Sequence, residues 1–239
     1  MENGLKKIGF LYSMAIYAGA ALLLYIQTHF TIPYLSKTTG IETVIFWFII
    51  GGLGVFLPLI ITAYLILRSE GLKPGINLCK ERLRFRKLSR KDILIIIAGF
   101  ILAAALSGVS VEILNALIGE FDHTPSFMKF EPLGPGRYWI LFVWIPYWIL
   151  NIMGEELLWR GVMLPRQEAV FGKYAWLLHG IGWGIFHLAF GWQMIVTLLP
   201  LLFILPYITQ KIKNSWAGVI MHAGFNGPAF IAISLGLIN

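Results

Sequence analysis

Charged residues are scarce in this chain. Of its 239 residues only 13% are charged, 58% are hydrophobic, and the mean hydropathy is +0.76. Soluble domains average about 25% charged and about 45–50% apolar residues, so this composition excludes that class. The single cysteine, Cys79, excludes an intramolecular disulfide. We expect one polytopic membrane domain over residues 1–239.

Several signatures of other classes are also missing. The chain has no Gly-x-Ser-x-Gly elbow, no His-Glu-x-x-His pair and no Walker loop. The short alternating segments typical of a membrane β-barrel are absent as well. Because a backbone in lipid must satisfy its own hydrogen bonds, the remaining choice is helices. The predicted fold class is therefore all-α, a transmembrane helix bundle.

The apolar runs predict about seven spans, since a span needs about 20 apolar residues. They cover residues 8–28, 43–67, 93–118, 138–162, 175–190, 192–210 and 215–237. The fifth is short and only Gly191 separates it from the sixth, so an eighth or re-entrant segment is an alternative. Ser89 and Asp92 have the spacing of a capping box that opens the third span.

Lys and Arg residues alternate with these spans. Sixteen of the 19 fall on one side, nine of them within residues 68–92, and only Lys37, Lys129 and Arg137 fall on the other. Cytoplasmic loops collect basic residues, which predicts a cytoplasmic N-terminus and an outside C-terminus. We interpret 68–92 as a basic cytoplasmic interfacial loop and expect no nucleic-acid partner, because topology accounts for the net charge of +7.

Three apolar spans carry ionisable or amide side chains. They are Glu155, Glu156 and Arg160 in the fourth, His187 in the fifth, and His222 with Asn226 in the seventh. Such residues are costly in a bilayer unless they face protein or a wet cavity, so they mark candidate functional sites. Each set also has a structural interpretation, as an interfacial charge cluster or as interhelical hydrogen bonds.

Helix geometry divides the two carboxylates. Glu156 and Arg160 are four residues apart and can pair, while Glu155 points about 100° away. Asn151 lies four residues before Glu155 and can hydrogen-bond to it. A carboxylate with a histidine can activate water, and a histidine with an asparagine can donate to an oxyanion. This combination suits hydrolysis of a peptide bond.

The motifs resemble those of the CAAX-processing and bacteriocin-processing protease family, also called CPBP or Abi. Its Glu-Glu-x-x-x-Arg motif stands here as 155–160, its Phe-x-x-x-His motif as 183–187 with Trp183 in place of Phe, and its His-x-x-x-Asn motif as 222–226. We expect Trp183 to pack rather than to react. The resemblance covers residues 150–230 well and residues 1–92 hardly at all, so we place the catalytic core in 93–237.

The resemblance implies a glutamate-dependent intramembrane endopeptidase without a cofactor. Glu155 would be the general base, His187 would hold water, His222 and Asn226 would form the oxyanion hole, and Glu156 and Arg160 would orient the site. The substrate would be a membrane-associated protein or peptide, for peptide maturation or bacteriocin immunity. The short chain favours a prokaryotic cell-membrane protein.

Two other functions use the same residues. Two histidines and a carboxylate could ligate Zn²⁺ in a membrane metalloprotease, although their spacing matches no recognised zinc motif. Alternatively, the polar residues could form the relay or pocket of a non-enzymatic adaptor or a small transporter.

Overall fold

The structure, a computed structural model, describes residues 6–72, 75, 77–122 and 124–237. All regular elements in these ranges are helical, which confirms the predicted fold class. The helices are α1 Phe10–Thr39, α2 Thr43–Ser69, α3 Arg90–Ile118, α4 at 140–171, α5 Ala175–Phe186, α6 Trp192–Ile212 and α7 Trp216–Ser234. A 3-10 turn, His187–Phe190, continues α5.

Six helical runs in the described residues are long and apolar enough to cross a membrane, and the run Ile140–Phe190 contains both α4 and α5. Its 51 residues would be about 76 Å long if straight, far more than the roughly 30 Å core of a bilayer. The run instead turns at Gly172, whose φ of 55° suits glycine. Gln167 contacts His179, and Glu155 contacts Trp183, so the two arms are antiparallel. They correspond to the fourth and fifth predicted spans.

Many large apolar side chains of the helices are exposed, including Leu11, Leu117 and Phe142, each more than 70% accessible. Exposed apolar surface of this extent, on helices of this length, identifies a multi-pass integral membrane protein.

The basic end of the bundle is where α1 begins, α2 ends, α4 turns into α5, and α6 turns into α7. Arg84 donates to Glu168 at 2.7 Å, Arg166 donates to Glu70 at 2.8 Å, and Ser215 donates to the Leu83 carbonyl at 2.6 Å. Segment 68–92 is therefore partly docked onto the helices, with Leu83 and Arg84 buried. Lys73 of this segment lies outside the described residues.

The opposite end joins α1 to α2, α3 to α4 and α5 to α6. There Arg137 donates to Glu42 at 2.6 Å, and the Leu133 amide donates to the Ser234 carbonyl at 2.9 Å.

The predicted capping box is present where α3 begins. The N-cap Ser89 and Asp92 exchange both of its hydrogen bonds, at 3.1 and 2.9 Å.

Three helices contain a wide π-helical segment: Gln27–Thr31 in α1, Trp47–Phe56 in α2 and Glu156–Met163 in α4. A proline follows each by two residues, at Pro33, Pro58 and Pro165. Proline lacks an amide donor and its ring displaces the carbonyl four residues earlier, which favours a wider turn before it. The third segment begins at the paired glutamates and helps to set their directions.

Candidate active site

The six predicted site residues lie in the interior of the bundle, on three helices. Glu155 ends the first α-helical part of α4, and Glu156 is the first residue of its π-helical segment. His187 follows α5, while His222 and Asn226 lie in α7. Direct contacts join four of the six, namely Glu156, Arg160, His222 and Asn226. Glu155 is joined to them through Asn151 and Trp183, and His187 packs against Trp183.

Glu155 is 1% exposed and both of its carboxylate oxygens accept a hydrogen bond. Asn151 Nδ2 donates to Oε1 at 3.1 Å, as its spacing predicted, and Trp183 Nε1 donates to Oε2 at 2.6 Å. Both donors are neutral. In the part of the chain that the structure describes, Glu155 makes no ion pair. This carboxylate is oriented without being neutralised by a cation.

Glu156 has a different environment, although it is the next residue. Its Oε1 accepts from Arg160 Nη1 at 2.9 Å and contacts His222 Nδ1 at 2.9 Å, and neither Glu156 nor Arg160 is exposed. Its Oε2 faces the backbone of α7, where a Cβ added to Gly218 would lie 2.0 Å from that oxygen. The predicted pairing with Arg160 is present, and α7 approaches α4 closely because residue 218 has no side chain.

The guanidinium of Arg160 lies over the indole of Trp183, with its Cζ 3.6 Å from the ring centroid. A cation over an aromatic face is attracted by the ring quadrupole, more strongly when both are shielded from water. Trp183 is only 1% exposed. One indole therefore contacts the carboxylate of Glu155 through its edge and the cation beside Glu156 through its face.

The amide of Asn226 links α7 to α4. Its Nδ2 donates to Asn151 Oδ1 at 3.0 Å and lies 3.2 Å from His222 Nε2. Because an amide nitrogen donates, His222 Nε2 accepts in this arrangement, and Nδ1 carries the proton directed at Glu156. Both Asn226 amide hydrogens are therefore engaged within the protein.

These contacts close into a ring of seven side chains, which we call the polar ring. In order around the ring they are Trp183, Glu155, Asn151, Asn226, His222, Glu156 and Arg160, and Arg160 returns to Trp183.

His187 lies beside the polar ring. Its Nδ1 is 2.8 Å from the backbone carbonyl of Trp183, and a carbonyl can only accept, so Nδ1 carries the proton. This tautomer leaves the Nε2 lone pair as an acceptor. The imidazole of His187 packs edge-on against Trp183, Phe186 and Phe190, which fix its orientation. The contacts among described residues include no direct hydrogen bond between His187 and Glu155.

Two features of the polar interior were not predicted from the sequence. Trp183 packs as expected, but its indole nitrogen also holds Glu155, a donor that phenylalanine would not supply. His179, which is not among the predicted site residues, is fully buried and contacts Tyr17 at 2.9 Å and Gln167 at 2.8 Å. This second polar cluster attaches α1 to the α4–α5 hairpin. Only its apolar sequence context signalled that His179 would need partners.

A metal site was the main alternative arrangement for these residues. Across the described ranges, no group of three or more His, Cys, Asp and Glu side chains is arranged to hold a metal ion. Three of the four ring nitrogens of His187 and His222 instead face a backbone carbonyl, a carboxylate and an amide.

Comparison with known protein families matches residues 137–227 to a model described as type II CAAX prenyl endopeptidase Rce1-like. The matched segment contains α4 to α7 up to Asn226, and with them the whole polar ring and His187. This match confirms the resemblance to the CAAX protease family and supports a CAAX-protease-like membrane endopeptidase. No curated protein and no solved structure matches the chain.

Proposed function

We propose, from the CAAX protease family match of residues 137–227, that the protein is a glutamate-dependent intramembrane endopeptidase. Its substrate is a membrane-associated protein or peptide. One observation carries the assignment of the base: Glu155 is buried with two neutral donors, while the adjacent Glu156 is bound by Arg160 and His222. A general base must be free to accept a proton, and of the two glutamates Glu155 is the one that no cation of the described residues neutralises.

In the proposed reaction, the His187 Nε2 lone pair and Glu155 hold a water molecule. The water oxygen attacks the scissile carbonyl carbon, and its proton moves to the Glu155 carboxylate. The carbonyl π electrons move to oxygen and form the tetrahedral oxyanion. When the oxyanion collapses, the C–N bond breaks and the proton held by Glu155 is transferred to the leaving nitrogen. The base is then regenerated.

Asn226 is the proposed oxyanion donor. Its amide is less buried than the rest of the polar ring, but both of its hydrogens have acceptors in this structure. We therefore propose that the developing oxyanion replaces Asn151 Oδ1 as one acceptor. His222 Nε2 accepts the other amide hydrogen and holds Asn226 in position, which is its proposed part in the oxyanion hole. A donor that is oriented in advance contributes most to catalysis.

The first substrate class to test is a prenylated CAAX peptide, because the matched family model is described as a prenyl endopeptidase. Purified protein in detergent is incubated with a membrane-anchored peptide that ends in Cys-a-a-X, with and without a prenyl group. We expect cleavage, faster for the prenylated peptide, and unchanged by a chelator. If a chelator abolishes the activity and Zn²⁺ restores it, the result would refute the glutamate mechanism and support a metal-dependent one.

Glu155→Gln provides the decisive variant in this assay. It keeps the size of the side chain but cannot accept a proton, so activity should fall about 100-fold or more while thermal stability persists. His187→Ala should lose activity similarly. The matched control is Glu112→Gln, which changes an exposed carboxylate of α3 and should leave activity intact. Near-full activity of well-folded Glu155→Gln would refute the mechanism.

We also propose that the basic end of the bundle faces the cytoplasm, so that the N-terminus is inside and the C-terminus outside. The distribution of basic residues supports this orientation. In a Cys79→Ser background, Ser126→Cys at the opposite end should react with a membrane-impermeant maleimide in intact cells. Lys87→Cys at the basic end should react only after lysis. The reverse labelling pattern would show that the basic end faces outside and would refute the proposed orientation.

A further inference from the structure

A pocket at the basic end, outside the polar ring, remains without a function. It has a volume of about 430 Å³ and lies between the turn at Gly172 and the end of α6. Its wall includes Lys173, Lys211 and Lys213 together with Trp176, Tyr207 and Gln210. All three lysines are exposed residues.

The described residues that line the pocket carry a net positive charge, because they include three lysines and a single carboxylate, which is already paired. Glu168 also lines it, but Arg84 binds both oxygens of that carboxylate, at 2.7 and 3.0 Å. The side chains of this pair are only 6% and 10% exposed. Among the described lining residues, no free carboxylate therefore competes with an occupant for Lys173 and Lys211.

A polar bracket holds the floor of the pocket in shape. Gln210 of α6 donates through Nε2 to the Gly172 carbonyl at 2.9 Å and accepts from the Trp176 amide at 2.8 Å. One side chain thus fixes the turn relative to α6. Lys213 ends α6 in the left-handed region, with a φ of 50° that is uncommon for a residue with a side chain. This conformation directs the chain around the mouth of the pocket.

Aromatic and apolar side chains continue from the lysines along the helices. Trp176 and Tyr207 meet edge to face, with their ring centroids 5.3 Å apart. Tryptophan and tyrosine at the end of a span typically lie at the level of the lipid headgroups. Farther along, α5 exposes Leu177 and Ile181 and α6 exposes Leu199, which offers an apolar path for acyl chains.

From this arrangement we infer that the pocket binds the headgroup of an anionic phospholipid. The phosphate would contact the lysines at the mouth, and the acyl chains would extend along α5 and α6. A free phosphate would use the lysines alone, whereas a phospholipid uses the lysines, the aromatic pair and the exposed apolar faces together. The inference does not depend on the proposed peptidase activity, because it concerns binding.

The test measures lipid retention by the full chain in detergent. Dioleoylphosphatidylglycerol is titrated against dioleoylphosphatidylcholine, and bound lipid is counted by native mass spectrometry, with melting temperature as the second readout. We expect at least tenfold tighter retention of the phosphatidylglycerol and a rise in melting temperature that inorganic phosphate does not reproduce. Equal retention of both lipids, or an equal rise with inorganic phosphate, would overturn the proposal.

Two triple variants distinguish lipid binding in this pocket from general attraction of anionic lipid to the basic end. Lys173→Gln/Lys211→Gln/Lys213→Gln should weaken phosphatidylglycerol binding at least about tenfold, since each basic residue near an anionic surface contributes to binding. Lys80→Gln/Lys87→Gln/Lys91→Gln removes the same charge from the same end and should retain the lipid. If the first triple unfolds, Lys173→Gln/Lys211→Gln is compared with Lys80→Gln/Lys87→Gln. Equal losses in the two sets would overturn the proposal.

Discussion

Trp183→Phe tests whether the indole nitrogen, rather than the aromatic bulk, positions the base. The substitution installs the residue of the family motif and keeps a ring that can contact Arg160 and His187. It removes one donor, the Nε1–H that lies 2.6 Å from Glu155 Oε2. Among the described residues, Asn151 would then be the only donor that holds this carboxylate.

The expected magnitude follows from the kind of hydrogen bond lost. A hydrogen bond to a charged group contributes about 1.5–3 kcal/mol, and about 1.4 kcal/mol corresponds to a factor of ten. If the bond orients the base for attack, kcat should fall roughly 10- to 100-fold. KM should change little, because the donor faces the carboxylate and not the substrate.

The matched control is Trp159→Phe. Trp159 is also fully buried in α4, but its Nε1 has no hydrogen-bond partner in the described residues. The control removes the same atoms from the same interior and should cost packing energy only. Steady-state kinetics and melting temperatures of both variants provide the comparison. More than half of the parent kcat in Trp183→Phe, or an equal kcat loss in Trp159→Phe, would refute the positioning role.

Three further predictions concern the contacts between α4 and α7. Gly218→Ala places a Cβ 2.0 Å from Glu156 Oε2, so we expect lower thermal stability and lost activity. The control Gly19→Ala should be neutral, because its new carbon would have no neighbouring atom within 4 Å. Glu156→Gln leaves the buried Arg160 cation without its countercharge and should destabilise folding by about 3–5 kcal/mol in a denaturation assay; normal stability with activity abolished would contradict that assignment. Asn226→Ala should lower kcat about 10²- to 10³-fold with a smaller change in KM, as expected for an oxyanion donor, and a change confined to KM would argue against it.

Local spacing predicted much of this structure. The polar residues of the site were recognisable because each interrupts an apolar span, where ionisable groups are rare. The i, i+4 spacing predicted the Glu156–Arg160 pair and the Asn151–Glu155 bond, and the capping box at Ser89 was equally local. These contacts depend only on helix periodicity, so sequence alone is sufficient to find them.

Contacts between distant segments were not predictable in the same way. The bond from Trp183 to Glu155 depends on the hairpin turn at Gly172, and the bond from Tyr17 to His179 joins residues 162 positions apart. The π-helical segments also escaped prediction. Pro33, Pro58 and Pro165 follow them closely, but Pro146 stands inside α-helix with no such segment, so proline alone is an ambiguous signal.

The polar ring also limits how this site can change over generations. Each member contacts two others, so replacing one side chain leaves two neighbours altered at once, for example Asn151 and His222 when Asn226 is lost. Tolerated substitutions should therefore arise as compensating pairs, and double-mutant cycles between non-touching members should show coupling. Asn151, which no motif includes, and Trp183, which departs from the residue of its motif, should resist single replacement as strongly as the other motif residues do.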